Sequence, residues 1–203
     1  MKFRNGFAMF DVLLAVILMA IAAVGSYSLV KSFKSSSSVQ QVTQYANTIT
    51  QNFMPFLEGV SYDSVLDADS NMLSNDFLLS IGIPSEELSP EACADSSSVS
   101  YCTVKTGLHT STAESLMEFA QFQDASKVGA SYFIIGFDAT SKQANALAQN
   151  LGVTYSVFCD SAGLTEDSSP CGLDAGGQSG DTSVFLVFPK SGSAPPAGVS
   201  FSL

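Results

Sequence analysis

The sequence predicts an α+β chain: a long N-terminal helix, apolar in its first half and amphipathic in its second, carrying a globular head built around a sheet. Three observations predict it. The stretch Phe7 to Val30, 24 residues long, is apolar but for one charge, Asp11. Beyond it Val39, Val42, Ala46, Ile49 and Phe53 recur at steps of three and four, which is the spacing of one helix face. From Gly59 onward short β-rich runs alternate with Gly, Ser and Asp clusters and with two helix-start patterns.

Composition narrows the function classes. At 203 residues the chain suits one ordinary domain plus an extension, and 46% hydrophobic residues can fill a core. Fifteen Phe and 6 Tyr argue against intrinsic disorder. Charged residues are only 13%, and 19 acidic side chains against 8 basic leave a net of −11. Such a balance excludes a sequence-independent grip on nucleic acid, which needs clustered Lys and Arg to replace counterions.

The first element is the apolar segment. Lys2 and Arg4 precede it and the next basic residue is Lys31. Its length exceeds the roughly 20 residues a helix needs to cross hydrocarbon, and the leading basic residues would hold that end in the cytoplasm. Two processing routes can be read from the segment itself, a secretory signal peptide cut at Ala20-Ile21-Ala22 or an uncleaved anchor, and a third reading has to account for Asp11, which neither explains. A carboxylate inside an apolar helix is costly unless it has a partner.

The second element continues the first. Gln40, Gln41, Thr43, Gln44, Asn47, Thr48 and Gln51 surround the apolar stripe, and Pro55 is expected to end it. One helix from Phe7 to Met54 would be about 70 Å long. In the head, Asp76 to Ile83 before Pro84 reads as a short helix, and Val99 to Val104 as a strand. Ser111 and Glu114 form a capping-box pattern, predicting a helix whose inner face holds Leu116, Phe119, Ala120 and Phe122. Tyr132 to Phe137 reads as a strand ending at Asp138. A second capping box, Thr140 and Gln143, starts a helix with Ala144, Leu147, Ala148 and Leu151 inward and Gly152 as its stop. Val153 to Phe158, Val184 to Phe188 and Val199 to Phe201 read as strands, so the head is a sheet with helices packed on one face.

The residues Gly6-Phe7, the acid at the fifth place counted from Phe7, and the unbroken apolar run resemble the class III signal of the type IV pilin family. The resemblance implies a pilin fold: a long helix packed on a head with an antiparallel sheet. It implies a leader over residues 1–6, an assembly helix over 7–58 and a head over 59–203. A prepilin peptidase would cut between Gly6 and Phe7 and methylate the Phe7 amine. Asp11 would then pair with the Phe7 amine of a neighbouring copy and set the axial step of a filament, because a close pair of opposite charges is tolerable where a lone one is not. The family's acid is nearly always Glu; here it is Asp11. The order strand, Ala/Leu-rich helix and late strands is similar to type IVb heads, as is the mature length of 197 residues, whereas the six-residue leader and Phe7 fit type IVa. Implied partners are further copies, minor pilins, the peptidase and inner-membrane assembly machinery, with the product an extracellular filament used in adhesion, aggregation or motility. A type II secretion pseudopilin, and an anchored or secreted binding protein, are the alternatives.

Four cysteines, Cys93, Cys102, Cys159 and Cys171, lack C-x-x-C or zinc spacing, and export would place them where disulfides form. Of three connectivities the local one, Cys93–Cys102 with Cys159–Cys171, is preferred. Its second bridge would staple the Gly/Ser/Asp-rich loop Asp160 to Pro170, which has few apolar residues of its own. No nucleophile, base and orienting acid can be named around His109, the only histidine, so no catalytic role and no cofactor are assigned. Asp160, Glu166, Asp167, Asp174 and Asp181 could offer oxygens to Ca²⁺, but their spacing matches no EF-hand and no metal is assigned. Loss of residues 1–6 would leave 6 basic against 19 acidic side chains, a net of −13, so a filament of such subunits would be negative outside and no direct nucleic-acid binding is expected.

Overall fold

A computed structural model describes residues 36–57, 65–67, 71–89, 94–96, 99–110, 113–124, 126, 130–172 and 180–203. The chain divides into two units, 1–37 and 38–203, and the first lies outside the described residues except for 36 and 37. Within the second unit the described elements form an α+β fold with an antiparallel sheet at its centre.

Helix α1 (36–57) comes first. Its stripe Val39, Val42, Ala46, Ile49 and Phe53 is buried, as its three-and-four spacing predicts. The helix runs past Pro55, contrary to the expected stop. Proline removes one i→i−4 hydrogen bond at this position, and the packing of Phe56 and Leu57 against the core offsets that loss.

A small sheet follows, in the order β1 (Leu66–Asp67), β2 (Met72–Ser74), β4 (Val99–Cys102), β3 (Ala94–Ser96). The short helix α2 (Asn75–Ser80) lies where Asp76 to Ile83 predicts one, and Ser74 caps it by accepting from the Phe77 N–H. The strand expected over Val99 to Val104 is interrupted at Thr103. Its second part belongs to β5 (Val104–His109), in a different sheet.

That larger sheet has the order β5, β6 (Glu114–Gln123), β7 (Ser131–Thr140), β10 (Asp181–Phe188), β8 (Ser156–Cys159), every neighbour antiparallel. Strand β6 overturns the helix expected at 114–123. Ser111 lies outside the described residues, and Glu114 opens a strand paired with β5 on one side and β7 on the other. Ser115, Met117 and Phe119 alternate inward at period two, so the spacing of three between Leu116 and Phe119 was coincidental. Helix-forming Ala, Glu, Leu, Met and Gln are overridden by pairing on both edges.

Strand β7 is longer than expected and includes Asp138 and Thr140. Helix α3 (Ser141–Leu151) begins at the predicted capping box: Gln143 N–H donates to Thr140 Oγ1, and Thr140 N–H to Gln143 Oε1 at 3.0 Å. Ala144, Leu147 and Leu151 are buried and Gly152 is the C-cap. The strand expected from Val153 starts only at Ser156. Residues 152–154 form the turn out of α3, and Val153 is 86% exposed. Because β10 lies between β7 and β8, the β7–α3–β8 unit is split by the last long strand.

Both faces of β7 and β10 are covered. Phe133, Ile135, Phe137, Val184 and Leu186 join the core shared with α1, α2 and α3. Tyr132, Ile134, Phe185 and Val187 face a second core with Phe158, Leu164, Val199 and Phe201. The second cover is a ribbon of β9 (Leu164–Thr165) and β11 (Ser200–Phe201) rather than a helix. A sheet with helices on one face is therefore only half of the arrangement.

Candidate functional site

Gly6, Phe7 and Asp11, the residues expected to carry processing and assembly, lie outside the described residues, as does the apolar stretch 7–30. Among the described residues no helix is long and apolar enough to cross a membrane. The amphipathic half of the expected assembly helix is described, and its attachment is specific. Ser38 Oγ donates to the Gly107 carbonyl at 2.7 Å, where β5 slips register. Gly107 has φ +64°, and a Cβ there would stand 3.2 Å from Gln41 Oε1, so a bulge of this shape against α1 calls for glycine.

Farther along α1, Tyr155 reaches across from the α3–β8 turn. Its hydroxyl donates to the Ala46 carbonyl at 3.0 Å, with Asn47 Oδ1 as a second acceptor at 3.2 Å. Burial pushes this phenol from 10.0 up to about 12, with the Thr50 side chain pulling weakly the other way. At the C-terminal end Phe53 stacks on Phe133 at 4.2 Å between ring centres and meets Phe56 and Phe77 at 5.5 and 6.4 Å. The exposed positions of α1 include Gln40, Gln44, Gln51 and Asn52, and no residue from Ser35 to Leu57 is charged. Tyr155 carries no motif, so sequence reasoning missed it; an aromatic after a helix stop is the only signal.

The four cysteines are partly resolved. Cys159 and Cys171 form a disulfide with Cα atoms 4.9 Å apart, the pairing preferred from the sequence. Cys102 is disulfide-bonded as well, and Cys93 lies outside the described residues. The stapled loop lies along the outer edge of β8: Cys159 N–H donates to the Ser169 carbonyl at 3.2 Å and Cys171 N–H to Val157 at 2.9 Å. Asp160 braces it, accepting from the Ala162 N–H and the Ser168 hydroxyl, each at 3.0 Å. Glu166 accepts from the Gly198 N–H, tying the loop to the C-terminal segment. Two of the acidic residues weighed as Ca²⁺ ligands, Asp160 and Glu166, thus accept hydrogen bonds within the fold; Asp167 is exposed and Asp174 lies outside the described residues.

Asp181 instead helps line a shallow cleft of about 170 Å³ with Thr110, Asp138, Ser161, Thr182 and Ser183. Ser183 donates to Asp138 at 2.7 Å. Glu118, on β6 opposite Gly136 of β7, accepts weakly from Asn71 at 3.5 Å; burial holds its carboxyl above the usual range, and Asp138 adds to this. His109 closes β5 in an exposed position, opposite Glu114. Among the described residues no three His, Cys, Asp or Glu side chains are gathered so as to hold a metal ion. The described geometry thus consists of a seated helix, a stapled sheet edge and a small polar cleft. No protein-family model, no curated protein and no solved structure matches this chain.

Proposed function

We propose that this chain is a type IV pilin-like structural subunit, cut after Gly6, methylated at Phe7 and polymerised through its N-terminal helix. The observation that carries the proposal is the N-terminal pattern: Gly6-Phe7, then Asp11 alone in 24 otherwise apolar residues. The burial of Val39, Val42, Ala46, Ile49 and Phe53 on an α+β head supports it, because a filament helix has to transmit load to its head through fixed contacts. The full proposal is a pilin fold, with one helix from Phe7 into α1. Its substrate relationship is passive: the chain is cut by the peptidase and catalyses nothing. Further copies, minor pilins and inner-membrane assembly machinery are its partners, and the destination is a filament outside the cell.

Intact-mass and N-terminal peptide mass spectrometry on protein from its native host tests this. The expected result is a chain that starts at methylated Phe7. A start near Ala23 would sink the proposal in favour of an ordinary signal peptide. An intact Met1 would overturn it in favour of an anchored binding protein. A pseudopilin and a pilin are separated by whether the processed chain dominates sheared surface filaments. Asp11→Ala is expected to be processed yet to fail in assembly; undiminished filaments would remove the proposed pairing with Phe7.

A further inference from the structure

We propose that the Cys159–Cys171 bond is a redox-sensitive strap, whose opening frees residues 160–171 from the sheet while β5, β6, β7 and β10 stay folded. Its position suggests this. β8 is an edge strand, paired with β10 on its inner side only. Its outer side is occupied by residues 169–171, through the Cys159–Ser169 and Cys171–Val157 backbone bonds and the Phe158–Pro170 bridge. The loop supplies one large core side chain, Leu164, and is held besides by the Asp160–Ser168–Thr165 hydrogen bonds within it, by Glu166 on the Gly198 N–H and by the Asp160 N–H on the Ser183 carbonyl. Both half-cystines are only half-buried, so a small thiol can reach them.

The reductant is a dithiol. Its thiolate attacks one sulfur of the pair, giving a mixed disulfide, and its second thiol displaces the remaining cysteine. Two electrons and two protons pass from the dithiol, which leaves as a cyclic disulfide, and Cys159 and Cys171 leave as thiols. Removing a cross-link between residues 12 apart returns closure entropy to the loop, worth on the order of a 100-fold shift toward the open form. Nothing comparable acts on β7 and β10, which pair over eight residues and are held between two cores. The strap also carries β9, so its release uncovers the Phe201 side of the sheet.

Amide hydrogen exchange on the full chain in detergent tests the strap, comparing oxidised protein, dithiol-treated protein and a Cys159→Ala/Cys171→Ala variant. The variant matters because Cys102 is disulfide-bonded as well, and the variant leaves that bond intact. The expected result is exchange about 100-fold faster at residues 159, 164, 171 and 201, with Ile135 and Leu186 unchanged. Acceleration of Ile135 and Leu186 to the same degree would overturn the proposal, since the bond would then hold the whole head. Unchanged exchange at all six would overturn it too. Should the variant not accumulate, alkylation of dithiol-treated protein decides: labelled Cys159 and Cys171 beside still-protected Ile135 and Leu186 supports the strap, and labelling only together with their loss of protection refutes it.

Discussion

Gly136 shows how much one missing carbon can matter. A Cβ there would sit 2.6 Å from the Phe201 ring, 2.7 Å from Leu203 and 3.2 Å from Phe185. Its backbone is ordinary strand, so the requirement is for space rather than for a special φ. Gly136→Ala is expected to lower stability by about 1–3 kcal/mol through displaced Phe201, measured by urea unfolding, with near-ultraviolet dichroism reporting the aromatic contact. In the sequence this glycine interrupts an apolar run and reads as a flaw in a strand; only the C-terminal segment, 65 residues farther on at Phe201, explains it. Tyr155 is a second residue whose role is non-local. Its phenol is raised from 10.0 to about 12, so the folded state keeps a proton that the unfolded chain releases. Stability is therefore fully present below pH 10 and falls as pH rises from 10 to about 12, by roughly 3 kcal/mol in all. Denaturation followed across that window should show the slope in the parent and lose it in Tyr155→Phe, which at neutral pH costs about 1 kcal/mol for the lost hydrogen bond. An equal slope in both would place the titration elsewhere.

At the scale of elements, legibility followed locality. Helix α3 was readable from start to stop because its signals are its own: Thr140 and Gln143 bond each other, and its inward residues recur within three turns. The stripe of α1 was readable for the same reason. Strand β6 was not, because its state is decided by β5 and β7, and its composition favours helix when taken alone. The two assignments make opposite demands on neighbouring residues. As a strand, β6 buries Met117 completely and leaves Leu116 on the other face. Met117→Ala is expected to cost about 2–5 kcal/mol and Leu116→Ala less than half as much, compared by denaturant midpoints. The reverse order would restore the helical arrangement. The small sheet and the β9–β11 ribbon were the least legible, since strands of two to four residues leave too little periodicity to read.

Across the whole molecule the central fact is a sheet packed on both sides. The runs Tyr132 to Phe137, broken only by Gly136, and Val184 to Phe188 carry no charged side chain, the mark of strands with no solvent face. The reading from sequence nevertheless covered one face only, with helices, because β9 and β11, which cover the other, are separated in sequence and weak in pattern. The candidate assembly residues were legible as a motif and lie outside the described residues, whereas the stapled loop was legible as a cysteine pairing and is described. A chain ending at residue 180 lacks β10, and with it the partner of both β7 and β8. Such a chain is expected to show no cooperative thermal transition by circular dichroism; a sharp transition would mean that β7 and β8 find another way to close.

The split order β7–β10–β8 also has a temporal side. A ribosome releases Ser131–Thr140 and Ser156–Cys159 well before Asp181–Phe188, yet the earlier strands meet only through the later one. Until nine-tenths of the polypeptide has been made, the growing chain holds two sticky half-sheets with a vacant slot between them. Closure is postponed to the end of synthesis. The nascent chain thereby lacks a closed sheet for most of its length, until its last long strand arrives.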